Sequence, residues 1–387
     1  MPDVTRSIVG PVLRLLGRDD RGAVAVLVAV LIGGGVLTGM GALVIDVGQL
    51  YVERAQLQNG ADAAALAVAK SCAGGPCAPG MATQYADANA SDGVSAVSLV
   101  CGSGTLGICP ASTGTMTDCP PPPSPPSPPP PPPGGKPPPP PPPNYVDVHT
   151  STETASGSTL LPPVFARTLL GNSKYKGTTV RACAQAVWGP PQTATTIAFT
   201  ISACEWDKAT NQGTLYAPPP PHPPNPGPAP SLDQVLQLHT SASGGCPAES
   251  AGADGAGGFG WTTDQTGTCA IAVTSSTYGE STGASAGQSC NQALANAVAS
   301  RAPVIVPVYV TITGSGSTAA FTLKGFAAFV ITGYQLPGMS ASDWLNPANN
   351  CKSTSKCING FFAQALVPTT TPIGGPDLGA HEVKLSG

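Results

Sequence analysis

Residues 23–45 read AVAVLVAVLIGGGVLTGMGALVI: 23 positions without a charge, with Thr38 as the only polar side chain. A helix rises about 1.5 Å per residue, so this run matches a hydrocarbon core of roughly 30 Å. In lipid the backbone must satisfy its own hydrogen bonds, which predicts a helix despite Gly33, Gly34, Gly35, Gly39 and Gly41. The run is too long for the apolar core of a signal peptide, and no small-x-small cleavage site precedes a polar change. It reads as one membrane anchor. Within it, Gly35 and Gly39 form a G-x-x-x-G pair, the spacing that lets a second helix approach closely.

The flanks give an orientation. Arg6, Arg14, Arg18 and Arg21 precede the span, whereas Glu53 and Arg54 alone break the near-neutral sequence just after it. Basic residues favour the cytoplasmic side. Residues 1–22 are therefore expected to be a cytoplasmic tail, and everything from Asp46 onward an extracytoplasmic ectodomain.

All twelve cysteines lie beyond the span. An even count confined to the expected exterior fits disulfides in an oxidising compartment. Cys72 with Cys77 and Cys351 with Cys357 close the shortest loops, and Cys246 with Cys269 would bracket a glycine-rich loop. Charged residues make up only 10% of the chain, beside 47 Gly and 45 Pro. Such material suits strands, turns and extended linkers better than helical bundles. A net charge of −4 with no basic cluster outside the N-terminus leaves nucleic-acid binding without an electrostatic footprint.

Past the span, residues 46–71 are rich in Ala, Leu and Gln, which predicts a helical stalk. Leu50, Leu57, Ala61, Ala64 and Val68 give it one mildly apolar stripe. That stripe would pack on a partner helix or fold back on the chain's own strands. Asp46, Gln49 and Glu53 follow one another at helical spacing at the membrane exit and are candidate contacts to another subunit.

The text of residues 21–71 closely resembles the N-terminal segment of TadG-like (TadE/TadG) proteins. The matching pieces are Arg21-Gly22, the exit Ile45-Asp46-Val47-Gly48, and the run QLQNGADAAALA at 56–67. Weaker similarities at 180–191 (VRACAQAVWGPP), 258–261 (GFGW), 307–310 (PVYV), 325–334 (GFAAFVITGY) and 357–362 (CINGFF) resemble the actinobacterial branch. The resemblance implies a part in assembling bacterial Flp (tight-adherence) pili, with other assembly subunits as partners. Pilin-like members of that system are cut after a glycine and carry glutamate five residues on. Here Gly22 is followed at that distance by Leu27, so the expected product is an uncleaved anchor. Some TadG proteins end in a metal-dependent adhesion domain marked D-x-S-x-S, a string missing from this chain.

The remaining sequence divides by composition. Residues 72–119 read as a cysteine-containing, loop-rich segment with a short helix at 81–89. Residues 120–143 hold 19 prolines in 24 positions. At about 3.1 Å per residue, a polyproline helix of that length is a strut of up to roughly 70 Å. Residues 144–216 read as an αβ part, with strands at 145–152, 178–188 and 195–204 and an apolar helix at 160–170. A second proline linker follows at 217–230. Residues 231–367 read as a β-rich part with a helix over 290–301 capped by Ser289, a period-two strand at 303–313 and a return strand at 319–334 bulged at Gly325. A last strand covers 358–367, and residues 368–387 are expected to be a disordered tail. The fold class is thus α+β: a transmembrane helix, a stalk, and a strand-rich, disulfide-stapled ectodomain on proline linkers.

Chemistry is sparse. Residues 255–260 satisfy G-x-G-x-x-G but neither follow a strand nor open a helix, so nucleotide binding is not expected. Asp254 and Asp264 lack the spaced acidic series of a calcium loop. No C-x-x-C knuckle, G-x-S-x-G or H-E-x-x-H occurs, and His149, His222, His239 and His381 adjoin no nucleophile motif. No catalytic residue, cofactor, metal or small-molecule substrate is expected. The reading is a structural accessory of pilus assembly; a processed minor pseudopilin and an envelope adhesin or scaffold unconnected with pili stay open beside it.

Overall fold

In the computed structural model the described residues are 20–111, 119–125, 142–165, 176–217, 230–238, 246, 258–264, 266–280, 289–313, 320–348, 356–368 and 371–386. The expected cytoplasmic tail to residue 19 and the middles of both proline runs lie outside them.

A single helix, α1 (Asp20–Gly74), contains both the span and the segment read as a stalk. Its two halves differ in surroundings. Large apolar side chains in the first half face outward all round, with Val24, Leu31, Leu37 and Val44 60–72% exposed. In the second half Leu57, Gly60, Ala61, Ala64, Ala65, Val68, Ala69 and Ala73 are buried at three- and four-residue spacing. Of the two expectations for the stripe, folding back on the chain's own strands is the one the structure shows, so this half is not a free rod. Its alanine stripe lies on a sheet and shares a core with Val146, Val148, Ala184, Ala186 and Trp188. Small side chains let the helix backbone come close to the strands. Thr150 Oγ1 donates to the Leu57 carbonyl at 3.0 Å, and Gln58 Nε2 to the Cys183 carbonyl at 3.0 Å.

That first sheet runs in the order β1 (Ala96–Gly102), β2 (Asn144–Ser151), β3 (Arg181–Gly189), β16 (Ala380–Leu385), β14 (Ala365–Leu366). Helix α2 (Met81–Asp87) packs across α1, where Gly60 meets the backbone of Ala86. One expectation is refined here and another fails. Within the segment read as loop-rich, residues 96–102 form a strand in antiparallel register with β2. The expected disordered tail contains β16, paired with β3 from Glu382↔Gly189 to Leu385↔Ala186. Its pairing with β3 and the contact of His381 with Ala73 are both distant in sequence, so composition alone reads as solvated chain.

The second sheet has at its centre β10 (Val304–Thr313) and β11 (Ala320–Leu336), an antiparallel pair. On the other side of β11 come β13 (Cys357–Ala363) and then β6 (Gln234–Gln237). On the other side of β10 come β5 (Phe199–Ser202) and β7 (Phe259–Trp261). Strands β9 (Thr277–Glu280), β12 (Met339–Ala341) and β15 (Asp377–Leu378) pair with β11 off this path. A separate two-stranded ladder joins β4 (Ala194–Ile197) to β8 (Ala270–Val273).

Residues 326–331 of β11 are buried without a break. A continuous apolar run is what a strand covered on both faces requires. One cover includes Leu294 of α4 (Ser289–Ser300), Val306, Val308 and Phe329; the other includes Tyr309, Ile312, Phe321 and Phe326. The register slips by one residue opposite Lys324, between the pairs Val308↔Gly325 and Tyr309↔Leu323, at the expected bulge. A second slip, between Tyr309↔Leu323 and Thr311↔Thr322, leaves Val310 as the extra residue on β10 and carries Ile312 to the opposite core from Val308.

Both proline runs turn out to begin and end on one sheet. Cys119 is disulfide-bonded to Cys183 on β3, and Asn144, just past the run, pairs with Trp188 on the same strand. Five residues of strand separate those anchor points by about 17 Å, far less than the strut length. The second run leaves from Ala217, bridged to Ala363, and returns into β6, where Gln234 pairs with Gly360. Neither run spaces two domains apart. The proposed division at 217–230 is corrected for the same reason: β5 lies in the second sheet, whereas β16 lies in the first.

The strand expected at 195–204 is instead β4, β5 and the helix α3 (Ala203–Ala209). Ser202 Oγ accepts from the Glu205 amide and caps it. The helix expected at 160–170 is non-helical over its described residues 160–165; the rest lies outside them.

Candidate functional site

The sequence places its candidate contacts at the exit of the span, and the structure sorts them into two groups. Gly35 and Gly39 stand open on α1: a Cβ built at either meets nothing within 4 Å. Thr38 lies between them and donates to the carbonyls of Gly34 (2.8 Å) and Gly35 (3.2 Å), so its hydroxyl is satisfied within the helix. Gln49 is exposed.

Asp46 and Glu53 are engaged by their own chain. Asp46 Oδ1 accepts from the amides of Val164 (2.8 Å) and Phe165 (3.1 Å), and Oδ2 lies 3.2 Å from the Phe165 nitrogen. Glu53 is half-buried beside Thr152; burial lifts its carboxyl above the usual range, the Thr152 hydrogen bond opposes this, and Asp92 adds repulsion. These two acids fasten α1 to the ectodomain.

The far end of α1 is fastened as well. His381 Nδ1 lies 2.7 Å from the Ala73 carbonyl, and Nε2 lies 3.0 Å from Asp377 Oδ1. Both ring nitrogens face acceptors, an arrangement that suits the doubly protonated imidazolium. Burial by itself lowers the His381 pKa, but the hydrogen bond and charge of Asp377, with the Ala73 carbonyl, raise it above the ordinary value. Burial likewise would raise Asp377, and His381 together with the Gly379 amide brings it below the carboxylate range. A cation at the last turn of a helix is also favoured by the helix dipole. Next along β16, buried Glu382 pairs with Lys384 at 3.1 Å and accepts from Thr371. The sequence reading missed this latch because it assigned the tail to disorder.

Five disulfides join described cysteines: Cys72–Cys77, Cys101–Cys109, Cys119–Cys183, Cys204–Cys246 and Cys269–Cys290. Cys246 and Cys269 are thus not bonded to each other. Instead Cys246, beyond β6, is tied to α3, and Cys269, at the start of β8, is tied to α4. Cys357 is disulfide-bonded too, and Cys351 lies outside the described residues.

Two polar features remain in the first sheet. Asp147 is 3% exposed on β2 and accepts from Gln185 Nε2 at 2.9 Å; burial pushes its pKa up to about 6 against that hydrogen bond. Beside it is a small cleft of about 110 Å³ walled by Cys109, Cys119, Pro120, Pro121 and His149. Among the described residues, the close sets Cys119–His149–Cys183 and Cys101–Cys109–Asp147 have their sulfurs in disulfides, so two of the three side chains in each set are not thiolate ligands.

No curated protein and no solved structure matches the chain. Residues 22–71, about an eighth of the chain, match the family model described as "Putative Flp pilus-assembly TadE/G-like". That match begins one residue before the span and ends three residues short of the end of α1. The chain therefore carries, as the helix long and apolar enough to cross a membrane and as the helical core of its first sheet, a TadE/G-like segment related to Flp pilus assembly.

Proposed function

We propose that the protein is a permanently membrane-anchored, structural accessory of Flp pilus assembly, with a cytoplasmic N-terminus and an extracytoplasmic ectodomain. The observation that carries the reading is the coincidence of the Tad match with one helix that is apolar and exposed in its first half and core-forming in its second. A helix built this way cannot separate anchor from ectodomain, so a force or displacement applied to either reaches the other. Disulfides throughout the ectodomain support an oxidising location. The arginines before the span support the orientation. In this reading the chain contributes binding surface and no catalysis, and Gly35, Gly39 and Gln49 are where another assembly subunit packs.

Deleting the coding sequence is expected to abolish surface fibres, and restoring it to return them. Restoring a Gly35→Leu, Gly39→Leu variant is expected to leave the protein in the membrane with few fibres. Normal fibres in the deletion strain would overturn the assignment to pilus assembly.

A further inference from the structure

Residues 160–165 read LLPPVF, an apolar string that directly follows a stretch rich in Ser and Thr. The loop is pinned at both ends. Leu161 bridges to Thr178, and Thr179 Oγ1 donates to the Thr159 carbonyl at 2.7 Å. At the other end Asp46 takes the amides of Val164 and Phe165. Pro162 and Pro163 have no N–H, so the amides at this end of the loop are satisfied by one carboxylate while the side chains of Val164 (48%) and Phe165 (40%) stay exposed.

Asp46 is the residue directly after the span, which fixes the height of the loop at the edge of the hydrocarbon layer. The next two turns of α1, within about 9 Å of Asp46 along the axis, carry Val47 (40%), Tyr51 (72%) and Val52 (58%). Beyond Ile45 ten large apolar side chains are exposed among the described residues, and five of them are these. The other five, Tyr85, Ile108, Leu215, Leu366 and Leu385, sit on separate elements, as isolated surface apolar residues usually do. A cleft of about 400 Å³ lies alongside, with Val47, Leu50 and Tyr51 below Arg54 along the helix axis. Apolar below basic is the order of acyl chain and phosphate across a bilayer interface.

We propose that the 160–165 loop is a second, interfacial membrane contact, which Asp46 holds against the outer edge of the bilayer so that the first sheet sits in a fixed pose on the lipid surface. The occupant is lipid because the patch sits at the end of the exposed apolar half of α1, to which Asp46 joins the loop directly. The inference rests on α1 spanning the membrane and on nothing about pili.

The test uses the full chain in phosphatidylcholine vesicles containing lipids brominated at shallow or deep acyl positions. Phe165→Trp and, separately, Leu31→Trp are read as differences from the parent protein, whose four tryptophans are buried or half-buried. The indole of the Phe165→Trp protein is expected to emit blue-shifted and to lose about half its intensity to shallow bromines, with less loss to deep ones. Adding Asp46→Ala is expected to remove most of that quenching. Quenching in the Leu31→Trp protein without quenching in the Phe165→Trp protein would overturn the loop proposal; a blue shift without bromine quenching would do the same by showing a protein partner. Quenching that survives Asp46→Ala would overturn the tether. An unquenched Leu31→Trp protein would refute the span itself, a failure distinct from that of the loop.

Discussion

His381 reaches back 308 residues to the carbonyl of Ala73, at 2.7 Å. One hydrogen bond thus joins the last strand of the chain to the last turn of the helix whose first half is the candidate membrane span. Asp377, four residues before the histidine, holds its other nitrogen at 3.0 Å.

The His381 latch should be strongest in mildly acidic solution. Its folded pKa is raised, so its contribution is full below the ordinary value of 6.5 and disappears as pH climbs through the folded value. Asp377 is lowered, so its contribution is full above 3.8 and disappears as pH falls through the folded value. His381→Gln is expected to cost about 2 kcal/mol at pH 5.5 and clearly less at pH 8.5. Chemical denaturation of the disulfide-intact protein at the two pH values reads the difference.

Asp147 works against the fold at neutral pH. A raised carboxyl binds its proton more tightly when folded, so stability is lost as pH rises from 3.8 through about 6. Asparagine keeps the acceptor for Gln185 without the charge. Asp147→Asn should therefore stabilise on the order of 1–2 kcal/mol at pH 8, allowing for screening by water in the adjoining cleft, and change little at pH 4. A destabilised variant at pH 8 would show that the charged form is wanted.

The alanine stripe of α1 should tolerate no bulk. Ala64 is fully buried against the first sheet. Ala64→Leu improves nothing in helix propensity and forces the sheet away, at about 1–3 kcal/mol. The same change at exposed Ala55 is the control, and thermal melts of both proteins in detergent compare them.

At Gly360 a side chain has no room. A Cβ there would strike the Phe329 ring and the Val330 carbonyl on the neighbouring strand. Gly360→Ala is expected to cost about 2–3 kcal/mol, and Gly360→Ala with Phe329→Leu less than the sum of the two singles. A thermodynamic cycle of the four proteins measures the coupling.

How far the sequence spoke depended on whether the signal was local. A 23-residue apolar run, the alternation in β10, the Gly325 bulge and the helix behind Ser289 are patterns within one segment, and each was legible. So was Asp46 as an exit residue, though not its grip on Val164 and Phe165. What escaped was long-range. Strand β16 carries His381, Glu382 and Lys384, and its pairing with β3 and the contact of His381 with Ala73 make it buried structure. The pairings of Cys204 with Cys246 and Cys269 with Cys290 bridge 42 and 21 residues, and spacing does not choose among such options. One miss had a signal available: Ser202-Ala-Cys-Glu205 is a capping-box pattern that announces α3. The proline runs misled because their composition speaks of stiffness, whereas their role follows from where their ends are fixed.

The account stands most directly on the intact mass and N-terminal sequence of the native protein extracted from membranes, taken before and after reduction and alkylation. A permanent anchor predicts a chain that still carries residues ahead of Ala23, with no cysteine alkylated until reductant is added. A mature N-terminus at Ala23 would contradict it and make the protein a processed fibre subunit. Alkylation of the unreduced protein at all twelve cysteines would contradict the extracytoplasmic placement of the ectodomain.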